Sequence, residues 1–338
     1  MKFQLKIVVL FLALSSLFSS CIEDKTITYG TYLGGFFISN EGAYGKGNAS
    51  IDYYSASKDS FYSNIFAKAN NIALGDVLQT ISIANNKMVA IVNNSDKVLF
   101  LNATTLAIEN SVTVPKPRYT YAINNTEILV SSMNGSMYVI NLGSGAITKT
   151  IQTGFFTDKI LKVNDKYYIE FQKMVVSSNN EQGYLIFDAN LTQIEKFNTS
   201  FYPSGSLFIG PNILATQLND PTFAAPSRIT IIDLASRNLE TIANGTYSPL
   251  ISFYNGEIYF FADNAVKKKT SSGSIVKLFD VSGITSPYAL SVIKNTGKIA
   301  ICDATDFTSS GRVVIYNPNG TIFKSLTTGI APNGILEN

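Results

Sequence analysis

Three arginines, Arg118, Arg228 and Arg312, stand at positions that read as loops beside aromatic and amide residues. A guanidinium can grip an anionic group through two parallel hydrogen bonds. Tyr44, Tyr119, Phe155, Phe156, Tyr202, Phe223, Tyr247, Tyr288 and Phe307 offer stacking faces. Asn48, Asn93 and Asn94 supply paired donors and acceptors, as do Asn40, Asn134, Asn219 and Gln172, and Asp303 adds a carboxylate. Such a set suits a large neutral or mildly anionic ligand edged with amides or hydroxyls. It assigns no catalytic residue. The 338-residue chain has no His and only two Cys. That excludes Ser-His-Asp and Cys-His catalysis, His-ligated metal or haem, and a cysteine zinc cluster. No resident cofactor or metal is expected. Five acids, Glu41, Asp76, Asp158, Asp220 and Asp303, remain candidates for a metal-dependent hydrolase or lactonase, but their spacing does not bring them to one spot.

The elements that would position these residues repeat. Runs of four to seven β-branched and aromatic residues alternate with Asn, Gly, Asp and Ser turns, and no helical periodicity persists. Ile81-Ser82-Ile83, then Asn85-Asn86, then Met88 to Val92 is one hairpin. Tyr121 to Ile123, Ile160 to Val163, Leu207 to Ile209, Ile251 to Phe253 and Leu290 to Ile293 open five more. A third apolar strand follows each and ends near Asn or Asp, as at Asn102, Asn141, Asp188, Asp233 and Asn317. The unit at Val266-Lys267-Lys268-Lys269 breaks the pattern, and its Lys run reads as a solvated outer strand. Four strands repeated every 40 to 46 residues or so predict an all-β, seven-bladed β-propeller of antiparallel blades. Six units run from about residue 78 to residue 328. The seventh is split: outer strands from Phe36 to Ile38, Ser50 to Tyr54 and Ser60 to Tyr62, innermost strand from Gly334 to Leu336. The turns between first and second strands are tight, so the candidate residues fall on the opposite, loop-rich face, where function usually gathers.

Residues 1–20 read as a removed export signal, with Lys2 and Lys6 ahead of an apolar stretch from Ile7 to Leu14. The stretch is too short for a membrane span. Cys21 follows Leu17-Phe18-Ser19-Ser20 and is the expected lipid attachment residue, with 21–33 a lipidated tether and 34–338 the propeller. Glu23 and Asp24 behind the Cys resemble a surface-export tag. The expected location is therefore the outer membrane, lipid-anchored and facing the cell surface. Loss of Lys2 and Lys6 from 26 basic residues leaves no net charge against 24 acidic ones. A neutral chain without a basic stripe is not expected to bind nucleic acid.

Gly35-Phe36-Phe37-Ile38-Ser39-Asn40-Glu41-Gly42, Gly47 to Ile51, Leu74 to Thr80 and Val92-Asn93-Asn94-Ser95 together resemble YncE-like or BtuG-like seven-bladed surface lipoproteins of the Bacteroides group. The resemblance implies capture of a corrinoid such as cobalamin and its delivery to a TonB-dependent outer-membrane transporter. It carries over no individual ligand contact. With no imidazole, the cobalt ligands would stay intact, and binding would rest on shape, stacking and hydrogen bonds. A protein- or glycan-binding surface scaffold and the metal-dependent hydrolase stand as alternatives.

Overall fold

The computed structural model describes residue 32, residues 34–174 and residues 181–337. The expected signal, the lipid site Cys21 and most of the tether lie outside the described residues, as do residues 175–180. The described strands form seven four-stranded antiparallel sheets. In the first, Leu78–Ala84, Lys87–Val92, Lys97–Asn102 and Ile108–Thr113 follow one another from the inside outward. Each inner strand touches the inner strand of the next blade, and Pro332–Glu337 touches both Pro287–Ile293 and Leu78–Ala84, which closes the ring. This is the expected seven-bladed β-propeller.

The turns follow from residue chemistry. Two-residue hairpins that match strand twist need left-handed backbone at both positions, which Asn and Gly tolerate best. Asn85 and Asn86 have φ of 45° and 62°, and Asn255 and Gly256 have 49° and 77°. Where an Asn or Asp ends a third strand, as at Asn102, Asn141 and Asp233, it folds the next turn over its own side chain. Asn102 Oδ1 accepts the amides of Thr104 and Thr105, both at 3.0 Å. Asn141 and Asp233 repeat the arrangement with Gly143 and Ser144, and with Ala235 and Ser236.

The seventh blade is split as expected. Pro332–Glu337 lies innermost, followed by Gly35–Asn40, Ser50–Ser55 and Ser60–Tyr62. Phe37 pairs with Leu336 and Ile38 with Ile335. The core sits between blades. Val89, Val98 and Phe100 of the first meet Ile128, Val130 and Ile140 of the second. Phe36, Ile38 and Tyr54 of the split blade meet Ala300, Val313 and Ile315 of the sixth.

Two expectations need correction. Lys267, Lys268 and Lys269 sit on Ala265–Lys269, which is the third strand of its blade, with Ile275–Asp280 outside it. Their aliphatic stems are half-buried while the ammonium groups pair with Asp263, Glu257 and Glu240. And one short helix, Ile65–Asn70, interrupts the all-strand pattern. It buries Ile65 and Phe66, and the Asn70 side chain donates to the Leu106 carbonyl and accepts from the Ile108 amide.

Cys302 is a small apolar group in the strand Lys298–Asp303, as expected, and is 2% exposed. Burial, and then the Asp303 charge beside it, push its thiol up to about 12. Reactivity follows the thiolate. Cys302 is therefore expected to resist a thiol reagent such as DTNB in the native protein and to label only on unfolding. Fast labelling under native conditions would contradict this burial.

Candidate functional site

The first residues of the inner strands converge on the ring axis at the loop-rich face. They line a cavity of about 280 Å³ to which every blade contributes. Gln79 comes from the first blade, Arg118 and Tyr119 from the second, Asp158 from the third and Tyr202 from the fourth. Tyr247 precedes the fifth, Tyr288 belongs to the sixth, and Asn333 and Glu41 belong to the split blade. Position explains the selection, since most of these residues lie at the mouth end of an inner strand or in the segment beside it.

The polar groups here are tied to one another. Arg118 forks onto Asp158 at 3.3 and 3.0 Å and also donates to the Gln79 side-chain oxygen, Oε1. The Gln79 amide donates to the Tyr119 hydroxyl at 3.4 Å. Across the mouth, Glu41 accepts from Tyr288 and from Asn333, each at 3.1 Å. Burial raises the Glu41 carboxyl above its ordinary range, against the pull of those two hydrogen bonds. Tyr202 donates to the Tyr247 hydroxyl at 2.6 Å, and the Tyr247 carbonyl is held by Gln217 and Asn219.

Above the cavity stand two aromatic pairs. Phe223, 70% exposed, stacks on Tyr247 with centroids 5.0 Å apart. Phe307 meets Tyr288 edge-to-face, also at 5.0 Å. Beneath, a recess of about 70 Å³ runs past Phe156 to Glu170. Glu170 is 1% exposed and accepts from the Ser206 amide at 2.7 Å. Burial, and then the nearby Asp158 charge, raise its carboxyl to about 7.

Of the sequence candidates, Arg118, Tyr119, Gln172, Tyr202, Tyr247 and Tyr288 meet in the cavity, with Phe223 and Phe307 on its rim and Phe156 below. The others are placed elsewhere. Asn48 accepts from the Ala43 amide within its own loop, and Tyr44 projects from that loop, 78% exposed. Asn93 donates to the Pro117 carbonyl, and Asn94 donates to Asp76. Phe155 packs on Phe171 between blades. Arg228 lies over the Phe201 ring at 4.7 Å. Asp303, fully buried, accepts the amides of Thr285, Ser286 and Thr305 and pairs with Arg312. Burial would raise its carboxyl, but these donors together hold it below the ordinary range.

The expected bidentate capture of an anion by arginine is not what the geometry offers. Arg118 and Arg312 are already forked onto Asp158 and Asp303, and Arg228 covers a ring. Likewise, Asp76 and Asp220 serve loop amides, Asp76 accepting from Gly45 and Asp220 from Thr222 and Ala225. Of the five candidate acids only Glu41 and Asp158 reach the cavity. Among the described residues no three acidic or sulfur side chains cluster as a metal site. Sequence reasoning missed Gln79, Glu170 and Asn333 as site residues. Gln79 and Asn333 lie near the starts of inner strands, which is the only signal they carry, while Glu170 sits on the second strand of its blade and carries none.

The model of a family described as a domain of unknown function, DUF5074, matches residues 34–300. No curated protein matches the chain. Similar solved structures include a quinonprotein alcohol dehydrogenase-like protein from Bacteroides thetaiotaomicron, 17% identical, with a TM-score of 0.64 over 90% of this chain and 78% of that one. Apo AztD from Citrobacter koseri is 11% identical, with a TM-score of 0.56 over 89% and 96%. Hydrazine synthase from Kuenenia stuttgartiensis is 14% identical, with a TM-score of 0.57 over 76% and 88%. At such identities the likeness speaks to the fold alone, and fold does not fix function.

Proposed function

We propose, from the premise that the chain belongs to the DUF5074 family, that this propeller captures a ligand at its mouth and carries out no reaction there. The observation that carries the reading is the mouth itself: one cavity fed by all seven blades, floored by paired polar groups and flanked by two exposed aromatic pairs. Its volume of about 280 Å³ lies at the lower end of ligand pockets. It therefore takes one edge or one ring of a larger molecule, whose body rests on the rim. With Arg118 spent on Asp158, a neutral edge rich in amides or hydroxyls fits better than a free anion.

The ligand class we propose is a corrinoid, held by its amide edge with its cobalt ligands undisturbed. The lipid anchor, the surface location and delivery to a TonB-dependent transporter belong to the same proposal. The described chain begins its first strand at Gly35, at the end of the blade away from the mouth. The stacked, exposed Phe223–Tyr247 pair also supports a second reading, a glycan, because sugar rings lie on such platforms.

Calorimetry with cyanocobalamin and with an oligosaccharide panel separates the two. Micromolar or tighter binding of the corrinoid is expected. Phe223→Ala with Tyr247→Ala should weaken binding at least tenfold, since aromatic pairs contribute about 0.5–1.5 kcal/mol beyond the area they bury. Both side chains are exposed, so the melting temperature should hold. Binding of sugars alone would select the glycan reading. No heat from either class, or full affinity in the double variant, would end the capture reading.

A further inference from the structure

On the face opposite the mouth, between the split blade and the sixth, lies a second cavity of about 280 Å³. Its walls are Phe36, Tyr54, Ile293, Ile315 and Phe323. Phe36, Tyr54 and Ile315 continue directly into the inter-blade core, while Phe323 is 47% exposed at the lip. Burying such apolar surface is favourable in proportion to area, so an open apolar slot of this size favours a hydrocarbon occupant.

Charge at the lip narrows the occupant. Lys298 lines the slot with its ammonium 4.5 Å above the Phe323 ring. Among the described residues it has no carboxylate partner. The one acid at the same lip, Glu337, is engaged by the Lys294 amide at 3.0 and 3.2 Å. An apolar slot whose one lining cation has no carboxylate partner among the described residues complements a chain of methylenes that ends in a carboxylate.

We propose that this slot binds a fatty acid, its hydrocarbon chain between the two blades and its carboxylate at Lys298. The site is separate from the mouth and does not depend on what the mouth takes.

The test uses the full chain carrying Cys21→Ser, which bears no acyl group of its own, with laurate as probe. Saturable one-to-one binding is expected by calorimetry. Dodecanol, which lacks the charge, should bind at least fivefold more weakly. Lys298→Glu should cost tenfold or more, with circular dichroism confirming that the variant still folds, because the residue is half-buried at the lip. Ile293→Asp places a charge in the wall and should abolish binding. Tyr247→Ala at the mouth should leave laurate binding intact. The assignment is overturned if laurate does not saturate, if Lys298→Glu binds it normally, or if dodecanol matches laurate. It is also overturned if the lipidated chain refuses laurate that the Cys21→Ser chain accepts, since the slot would then hold the protein's own acyl chain.

Discussion

Deleting residues 329–338 is expected to unfold the whole propeller, not one blade. Those residues supply the innermost strand of the split blade, and with it the hydrogen-bonding partner of Gly35–Asn40. Their loss would bare Phe37 and Ile38, both fully buried, at about 1.5–3 kcal/mol each. It would strip the ladder bonds, at about 1 kcal/mol each. It would also take the Gly329 amide from the carboxylate of Asp52, a residue 1% exposed. The sum approaches the 5–15 kcal/mol that holds a typical domain together. Ring closure makes the damage global, because every blade rests on two neighbours. Circular dichroism should find no cooperative melting in the truncated chain. A truncated protein that melts within a few degrees of the parent would refute closure by the C-terminal strand.

The second large effect is on pH dependence, and Glu170 causes it. Its carboxyl is raised from 4.5 to about 7 in the folded protein, chiefly by burial and then by the Asp158 charge. A raised acid binds its proton more tightly in the folded state. Its stabilising contribution is therefore complete below pH of about 4.5 and is lost as pH rises through about 7. At roughly 1.36 kcal/mol per pKa unit, the whole swing is about 3 kcal/mol. Asp52 and Glu41 are shifted the same way and Asp303 the other way. Comparison with Glu170→Gln isolates the one group, because the amide keeps an acceptor for the Ser206 N–H. Urea unfolding between pH 5 and pH 8 should find the parent losing stability relative to the variant as pH rises. Parallel profiles for the two proteins would refute the raised carboxyl.

The fold was largely legible because its punctuation is local. Asn85-Asn86 and Asn255-Gly256 specify tight hairpins within two residues, and Asn102, Asn141 and Asp233 specify turns through their own side chains. Even the split blade could be read, since its strands carry the same alternation as the rest. The Lys267 to Lys269 strand misled because long side chains bury their stems while charged by type. The site was legible in part. A tyrosine at the entry to an inner strand meets the axis wherever the repeat recurs, so Tyr119, Tyr202 and Tyr288 were found. Amides and charges were not separable by type. Asn93 and Asn94 clamp loops, while Asn333 lines the mouth, and all three are loop-like asparagines in sequence. Arg312 faces Asp303 across adjacent strands, a pairing that needs the register and not the spacing. Glu170, inside a run of aromatic strand residues, gave no signal until Arg118, Asp158 and Tyr202 were placed around its recess.

At the mouth, Glu41 accepts its hydrogen bond from Asn333, 292 residues later in the chain. Six of seven blades can be synthesised while that contact is still impossible. The pocket therefore comes into being last, when the strand Pro332–Glu337 has been made and has docked. A chain made only as far as the sixth blade lacks Asn333 and with it one wall of the mouth.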